Sequence, residues 1–245
     1  MTSIGIRVPY QPQRRTSRPL RAGPAAHVAP EPRREGGRRV MNLVVAALGL
    51  VASAPLMVLV AAAIKLTSRG PVFYTQTRVG LDRRGGRGDK PHSRRGADLG
   101  GRPFRIYKFR TMRAHPGRPG SEVWARPDDP RITPVGQMLR RTRLDELPQL
   151  WNVLLGDMNI VGPRPEQPSI FVSLREQIDH YGLRQRVRPG ITGWAQINHH
   201  YDRCLDDVRR KVALDLEYIG RRSVAEDLKI MALTVPVMAG RRGGW

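Results

Sequence analysis

A single cysteine, Cys204, stands in 245 residues. No internal disulfide can form, and a reducing compartment is the simplest setting. Cys204 has no local nucleophile or metal signature and reads as inert. Acidic side chains are also scarce: 21 Asp and Glu face 43 Lys and Arg, giving a net charge of +22. That imbalance calls for an anionic partner: nucleic acid, an acidic membrane surface or a phosphorylated substrate. Arginine far outnumbers lysine, which favours forked contacts to phosphate over point-charge attraction. Large apolar residues are nearly missing from residues 1–39, which are rich in Pro, Arg, Gly and Ala. Such a stretch cannot build a core and reads as a disordered basic arm. No internal repeat is evident, and the length is that of one compact domain with appendages.

Residues 40–64, VMNLVVAALGLVASAPLMVLVAAAI, lack charge altogether. About 20 apolar residues suffice to cross a bilayer as a helix. A secretory signal fits badly, since the preceding arm is too long and the run too extended. Pro55 lies inside the run, after Ser53 and Ala54, and proline kinks or breaks a helix. Both flanks are basic: Arg33, Arg34, Arg38 and Arg39 before, Lys65 and Arg69 after. Positive flanks mark the cytoplasmic side. On both ends they favour a segment that enters and returns, while a kinked spanning helix fits these residues equally well.

Beyond the run, VFYTQ within residues 66–81 reads as a short strand after a turn signal. Residues 82–102 are Gly-rich and charged and read as a flexible inserted loop. FRIYKFRTM, 104–112, alternates as a strand, with Arg105, Lys108 and Arg110 expected on its polar face. Thr133-Pro134 opens a helix with an N-cap and a proline at its first position. A second helix carries Leu147, Leu150, Trp151 and Leu154 on one face and stops at Gly156. Further apolar stripes are Phe171, Leu174, Ile178 and Tyr181, ended by Gly182, and Leu205, Val208, Val212, Leu216 and Ile219. Ser223 with Glu226 forms a capping box before a last apolar helix, 224–239, which holds Pro236. These stripes read as packing surfaces, and the last also suits a helix lying on a membrane.

The chemistry gathers at LDELPQL, 144–150. Asp145 and Glu146 fall at or just before a helix N-terminus, whose free N–H groups and partial positive charge hold a carboxylate ionised. Arg140, Arg141 and Arg143 reinforce this if they point the same way. An ionised aspartate can attack a phosphoryl centre or bind Mg²⁺ beside substrate phosphates. Adjacent residues do not share a face, so the two acids have separate jobs. An acid pair opening a helix is also ordinary dipole chemistry. Two further stretches tip the balance. GPRPE, 162–166, fixes Arg164 between prolines, and VRPGITGWAQIN, 187–198, presents Arg188 on a Pro-Gly turn beside Trp194. Carboxylates, rigid arginines and a membrane segment in one chain fit phosphoryl transfer to or from a lipid.

The sequence resembles the bacterial sugar transferases, the monotopic polyprenol-phosphate phosphoglycosyl transferases. The resemblance rests on SRGPVFYTQTRVG, FRIYKFRTM, DPRITPVGQMLRRTRLDELPQLWNVLLGDMNIVGPRPE and RVRPGITGWAQIN, and more loosely on DLEYI and SVAEDLKIMALTV. It implies a mainly α fold with a small β element (α+β). A re-entrant membrane helix, 40–65, would be broken near Ser53 and Pro55. A small cytoplasmic catalytic domain, 66–245, would carry amphipathic interfacial helices on the cytoplasmic face of the inner membrane. The implied reaction joins a UDP-sugar and polyprenol phosphate to give polyprenol-diphospho-sugar and UMP, with Mg²⁺. Asp145 would be the covalent nucleophile and Glu146 its partner, either of them a metal ligand. Arg164, Lys108, Arg110, Arg131 and Arg188 are the candidate phosphate binders. Membrane lipids are expected partners, a homo-oligomer is possible, and nucleic acid is not expected. The loop at 82–102 exceeds the family pattern, and larger members carry further membrane helices before the catalytic part. The alternative function is a membrane-tethered nucleic-acid-binding protein; it explains the charge but not the acid pair or GPRPE.

Overall fold

A computed structural model describes residues 35–82, 99–113, 129–199 and 204–239. The basic arm up to residue 34 and most of the expected insertion, 83–98, lie outside the described residues. Helices dominate. α1 spans Glu35–Thr67, α2 Pro134–Thr142, α3 Gln149–Leu155, α4 Pro168–Gln177, α5 Trp194–Asn198, α6 Leu205–Arg221 and α7 Val224–Ala239. Among the described residues the sheets are two small pairs. β1 (Phe73–Val79) and β2 (Pro103–Phe109) are antiparallel, and β3 (Asn159–Val161) and β4 (Gly190–Thr192) are parallel.

α1 differs from expectation at its start and at its middle. It begins at Glu35, five residues before the apolar run. Arg38 and Arg39 therefore belong to the helix, and their charges turn inward onto the domain. Arg38 donates to Asp227 Oδ2 (2.9 Å) and to the Tyr218 hydroxyl (2.7 Å), while Arg39 donates to Val153 O and Leu154 O at the end of α3. Asn42, fully buried, accepts the Ile160 N–H of β3 and donates to Arg38 O. The helix is also continuous through Pro55. Proline deletes one N–H, and the Ser53 hydroxyl beside it donates to Leu50 O.

One narrow face of α1 packs on the domain toward both of its ends. Arg38, Asn42 and Ala46 bury before Pro55, and Val60 and Ile64 after it. Within each group the spacing is four residues, and the two groups fall on the same side of the helix. Ala46 joins a core with Phe104, Ile106, Val153, Met158 and Tyr218. Val60 and Ile64 join a second core with Phe109 and Leu139. The rest of the helix circumference stays apolar and exposed, including Val51 (75 %), Val58 and Leu59. By length and composition α1 is sufficient to cross a membrane.

The local signals of the domain hold. Thr133 Oγ1 accepts the Gly136 N–H at 2.9 Å, and Ser223 Oγ accepts that of Glu226. α3 ends on Gly156 in the left-handed region, φ 85°. Trp151 does not join the apolar face of α3; it is about half exposed, while Val153 is fully buried. α4 ends at Gln177 rather than Gly182, because Ile178 turns to extended backbone and a 3₁₀ segment, Tyr181–Arg186, follows. Phe171, Ile178 and Tyr181 still pack together against Val208 and Val212 of α6.

Candidate active site

The site begins with a backbone event. α2 terminates at Arg143, which takes the left-handed conformation (φ 59°) and donates its N–H to Arg140 O. This region is uncommon for a non-glycine residue. The reversal starts a 3₁₀ turn, Leu144–Glu146, before α3 opens with Pro148 at its N-cap. Asp145 and Glu146 thus sit on a tight bend between two helices, and both are buried at 7 % exposure.

The two carboxylates have different surroundings. Glu146 Oε1 accepts Lys108 Nζ from β2 at 2.7 Å and Arg164 Nη2 at 2.9 Å, with Arg143 Nη1 at 4.0 Å. Burial alone would raise its pKa, but Arg164, Lys108 and Arg143 overcome that and hold it well below the usual range. Asp145 accepts no hydrogen bond and makes no ion pair among the described residues. Burial pushes its pKa up, Lys108 opposes the rise, and the Glu146 charge adds to it. The setting of Asp145 differs from the expected helix N-terminus. It lies in a 3₁₀ turn rather than on a regular helix, and desolvation outweighs the nearby cations. The two neighbouring acids are thus driven apart, Glu146 below the usual carboxylate range and Asp145 above it.

The cations are held by long-range devices. Asn152, fully buried, donates to Arg105 O at 2.7 Å and accepts the Tyr107 N–H at 3.0 Å. It ties the free edge of β2 to α3 and so sets Lys108 against Glu146. The GPRPE loop is gripped at successive residues. Gly190 N–H bonds to Pro163 O, Arg184 to Arg164 O, Arg78 to Pro165 O, and Val79 N–H to Glu166 O. Side chains at Gly162 and Gly190 would overlap each other's backbone, so glycine permits this approach. Glu166 pairs with Lys211 at 2.9 Å, and Arg184 with Asp215 at 2.7 Å. Lys211 and Arg184 hold Glu166 at about 2 against the cost of burial. On the far side of Arg164, Nη1 donates to Gln196 Oε1 at 3.4 Å.

The structure thus brings Lys108, Asp145, Glu146 and Arg164 together. It places three other expected phosphate binders elsewhere. Arg110 lies beyond the end of β2 and is spent on the exit of α1, donating to Arg69 O (2.6 Å), Ser68 O and the Ser68 hydroxyl. Arg131 forks onto its near neighbour Asp129. Arg188 donates to Gly156 O, at the opposite end of α3 from the carboxylates. Arg105 is exposed and lies on the other face of β2 from Lys108, as an odd spacing in a strand requires. Arg143, expected to reinforce the acids, does face Glu146, whereas reading from sequence missed Arg78, Gln196 and Asn152 as individual residues. Gln196 had a signal, since it lies in the singled-out WAQIN stretch, whereas Asn152 resembled any helix residue.

The stretches that build this cluster recur in known proteins. The bacterial sugar transferase family matches over residues 33–241. An undecaprenyl-phosphate glucose phosphotransferase of Komagataeibacter xylinus is 42 % identical over 203 residues, covering 81 % of this chain and 35 % of that protein. A UDP-glucose:undecaprenyl-phosphate glucose-1-phosphate transferase of Escherichia coli (strain K12) is 42 % identical over 200 residues, covering 81 % of this chain and 39 % of its own. One of the same description from Caulobacter vibrioides is 40 % identical over 216 residues, covering 87 % of this chain and 72 % of its own. The chain spans little more than a third of the first two relatives. The match takes in both carboxylates, their cations and all of α1, and on it the chain belongs to the bacterial sugar transferase family.

Proposed function

We propose that the chain transfers a sugar 1-phosphate from a UDP-sugar to undecaprenyl phosphate, releasing UMP. One observation carries the reading: Asp145 is a buried carboxylate with both oxygens uncommitted, beside a carboxylate already neutralised by Lys108 and Arg164. Relatives that act on UDP-glucose and undecaprenyl phosphate support it.

In the first step an Asp145 oxygen attacks the sugar-linked phosphorus, the bond to the UMP oxygen breaks, and UMP leaves with that electron pair. A phosphosugar is then esterified to Asp145. In the second step an oxygen of the lipid phosphate attacks the same phosphorus and the Asp145 carboxylate departs unchanged. Arg164 and Lys108 stand where charge gathers on the phosphoryl oxygens, and because Glu146 already fixes them they need little reorganisation. Asp145 and Glu146 Oε2 fit Mg²⁺, which takes one or two carboxylates and fills its shell with phosphate oxygens and water. Bound there, the ion would neutralise diphosphate charge and favour ionised Asp145. The described residues contain no larger acid or histidine cluster that competes for it.

α1 supports a membrane-seated enzyme. Both halves of the helix pack on the same domain, on either side of Pro55. A helix crossing the bilayer would carry its far half away from that domain. We read α1 as seated in one leaflet, with the catalytic domain on the cytoplasmic face of the inner membrane. Impermeant labelling of cysteines placed at 35 and 69, in a Cys204→Ser chain, tests this, since external labelling of either position rules it out. The relatives differ in their sugar, glucose in some and N-acetylgalactosamine in another, so the chain is read as a UDP-sugar enzyme without a named hexose. The test of the function is UMP release by the purified protein across a panel of UDP-sugars with undecaprenyl phosphate and Mg²⁺. No release with any of them would defeat it.

A further inference from the structure

We propose that Tyr74 is the platform on which the pyrimidine base of the nucleotide stacks. The inference rests on the reading of Asp145 as the site of phosphoryl transfer and adds the nucleoside end of the substrate. It starts from the register of the β hairpin. Tyr74 pairs directly with Lys108, so the two side chains rise from the same face of the sheet. That face is a wall of the active site, because Lys108 reaches Glu146 from it. Gln76 and Arg78 continue the row along β1. Arg78 donates to Gln76 Oε1 and to Pro165 O, beside Arg164.

Tyr74 is an aromatic ring left 46 % exposed at the open end of this row. Its neighbour Phe73, on the opposite face, stacks on Phe109 at 5.4 Å and serves the packing near α1. The position across the ladder from Tyr74 holds a lysine whose amine is committed to Glu146. The two residues therefore stand side by side on adjacent strands, whose backbones lie about one inter-strand spacing, ~4.8 Å, apart. On the other edge of β2, Asn152 and α3 close the sheet. With a diphosphate held between Asp145, Lys108 and Arg164 and its nucleoside directed toward β1, the flat, half-exposed Tyr74 ring would meet the base. The sugar differs between relatives while the uridine diphosphate is common to them, so a contact to the base would serve any of these donors.

The test uses the full chain in detergent and UMP as a probe that carries the base but no sugar. Tyr74→Ala should raise KM for the UDP-sugar and Kd for UMP by the same factor, about 5- to 150-fold for one lost base stack. KM for the lipid phosphate should not move, and Tyr74→Phe should restore most of the lost affinity, since the ring and not the hydroxyl does the work. Should Tyr74→Ala fail to fold, Tyr74→Leu keeps an apolar side chain without the flat face, and UMP affinity is read on it. A raised KM for UDP-sugar with unchanged UMP affinity would assign the ring to the sugar. A raised KM for the lipid phosphate alone would assign it to the lipid. Either result overturns the proposal while leaving the phosphoryl transfer standing. Absence of turnover in the wild-type chain would instead defeat the functional reading beneath it.

Discussion

Replacing Asn152 by alanine perturbs one side chain that joins the fold to the chemistry. Asn152 is fully buried and makes two hydrogen bonds to one strand edge, to Arg105 O at 2.7 Å and from Tyr107 N–H at 3.0 Å. Truncation leaves both backbone groups without their partner. Each such group costs about 1–3 kcal/mol when water cannot replace the lost bond. Arg105 is exposed and Tyr107 half-buried, so water recovers part of the loss, and a net cost of about 2–4 kcal/mol follows. For a protein of this size, 1 kcal/mol lowers Tm by about 2–4 °C, so the variant should melt roughly 4–16 °C below wild type. Its surviving folded fraction should turn over more slowly at saturating substrate, because Lys108 loses its fixed seat above Glu146. Thermal melts in detergent, paired with UMP release well below the melting range, read both effects. A variant that melts with the wild type, or one that loses stability but retains wild-type kcat, would refute the claim that Asn152 sets the strand carrying Lys108.

Four more outcomes are expected. Burial raises the Asp145 pKa, so turnover should climb with pH through a limb lying above the ordinary aspartate value of 3.8. Glu146→Gln removes a charge that raises Asp145 and leaves the cations that lower it; the residual activity should show that limb at lower pH. Glu166 is held at about 2 instead of 4.5, so its stabilisation is present above about 4.5 and is lost as pH falls toward 2; Glu166→Gln should flatten that acid limb in melting curves. Arg131→Ala removes a fork made to Asp129 and not to the carboxylates, and kinetics within about 2-fold of wild type are expected for such a surface change. A large rise in KM for UDP-sugar would return Arg131 to the site.

Legibility in the sequence followed range. The Thr133 cap, the Ser223 cap and the Gly156 stop depend on residues within four positions, and each was readable. So was the Asp145–Glu146 pair, whose two environments arise from one bend. β3 and β4 were not readable: each has three residues, and they pair in parallel across about thirty positions with no periodicity to reveal them. Arg184 looked like any arginine of a basic chain, since its partner Asp215 lies a helix away. The inward contacts of Arg38 and Arg39 were hidden for a related reason. Basic residues beside an apolar run read as a membrane flank, and nothing local announces their acceptors on Asp227, Tyr218 and α3. Arg110 misled because the alternation of β2 stops at Phe109, one residue before it. Trp151 misled because a short helix buries a narrower face than its apolar spacing implies.

The central claim is that Asp145 carries the sugar phosphate between donor and lipid. Intact-protein mass spectrometry after incubation with the turned-over UDP-sugar and Mg²⁺, without lipid, tests it most directly. The wild type should gain the mass of one phosphosugar, lose it on adding undecaprenyl phosphate, and yield the modified peptide at Asp145. Asp145→Asn should gain nothing while melting like the wild type. An adduct mapped to another residue, or Asp145→Asn turning over near the wild-type rate, would contradict the account.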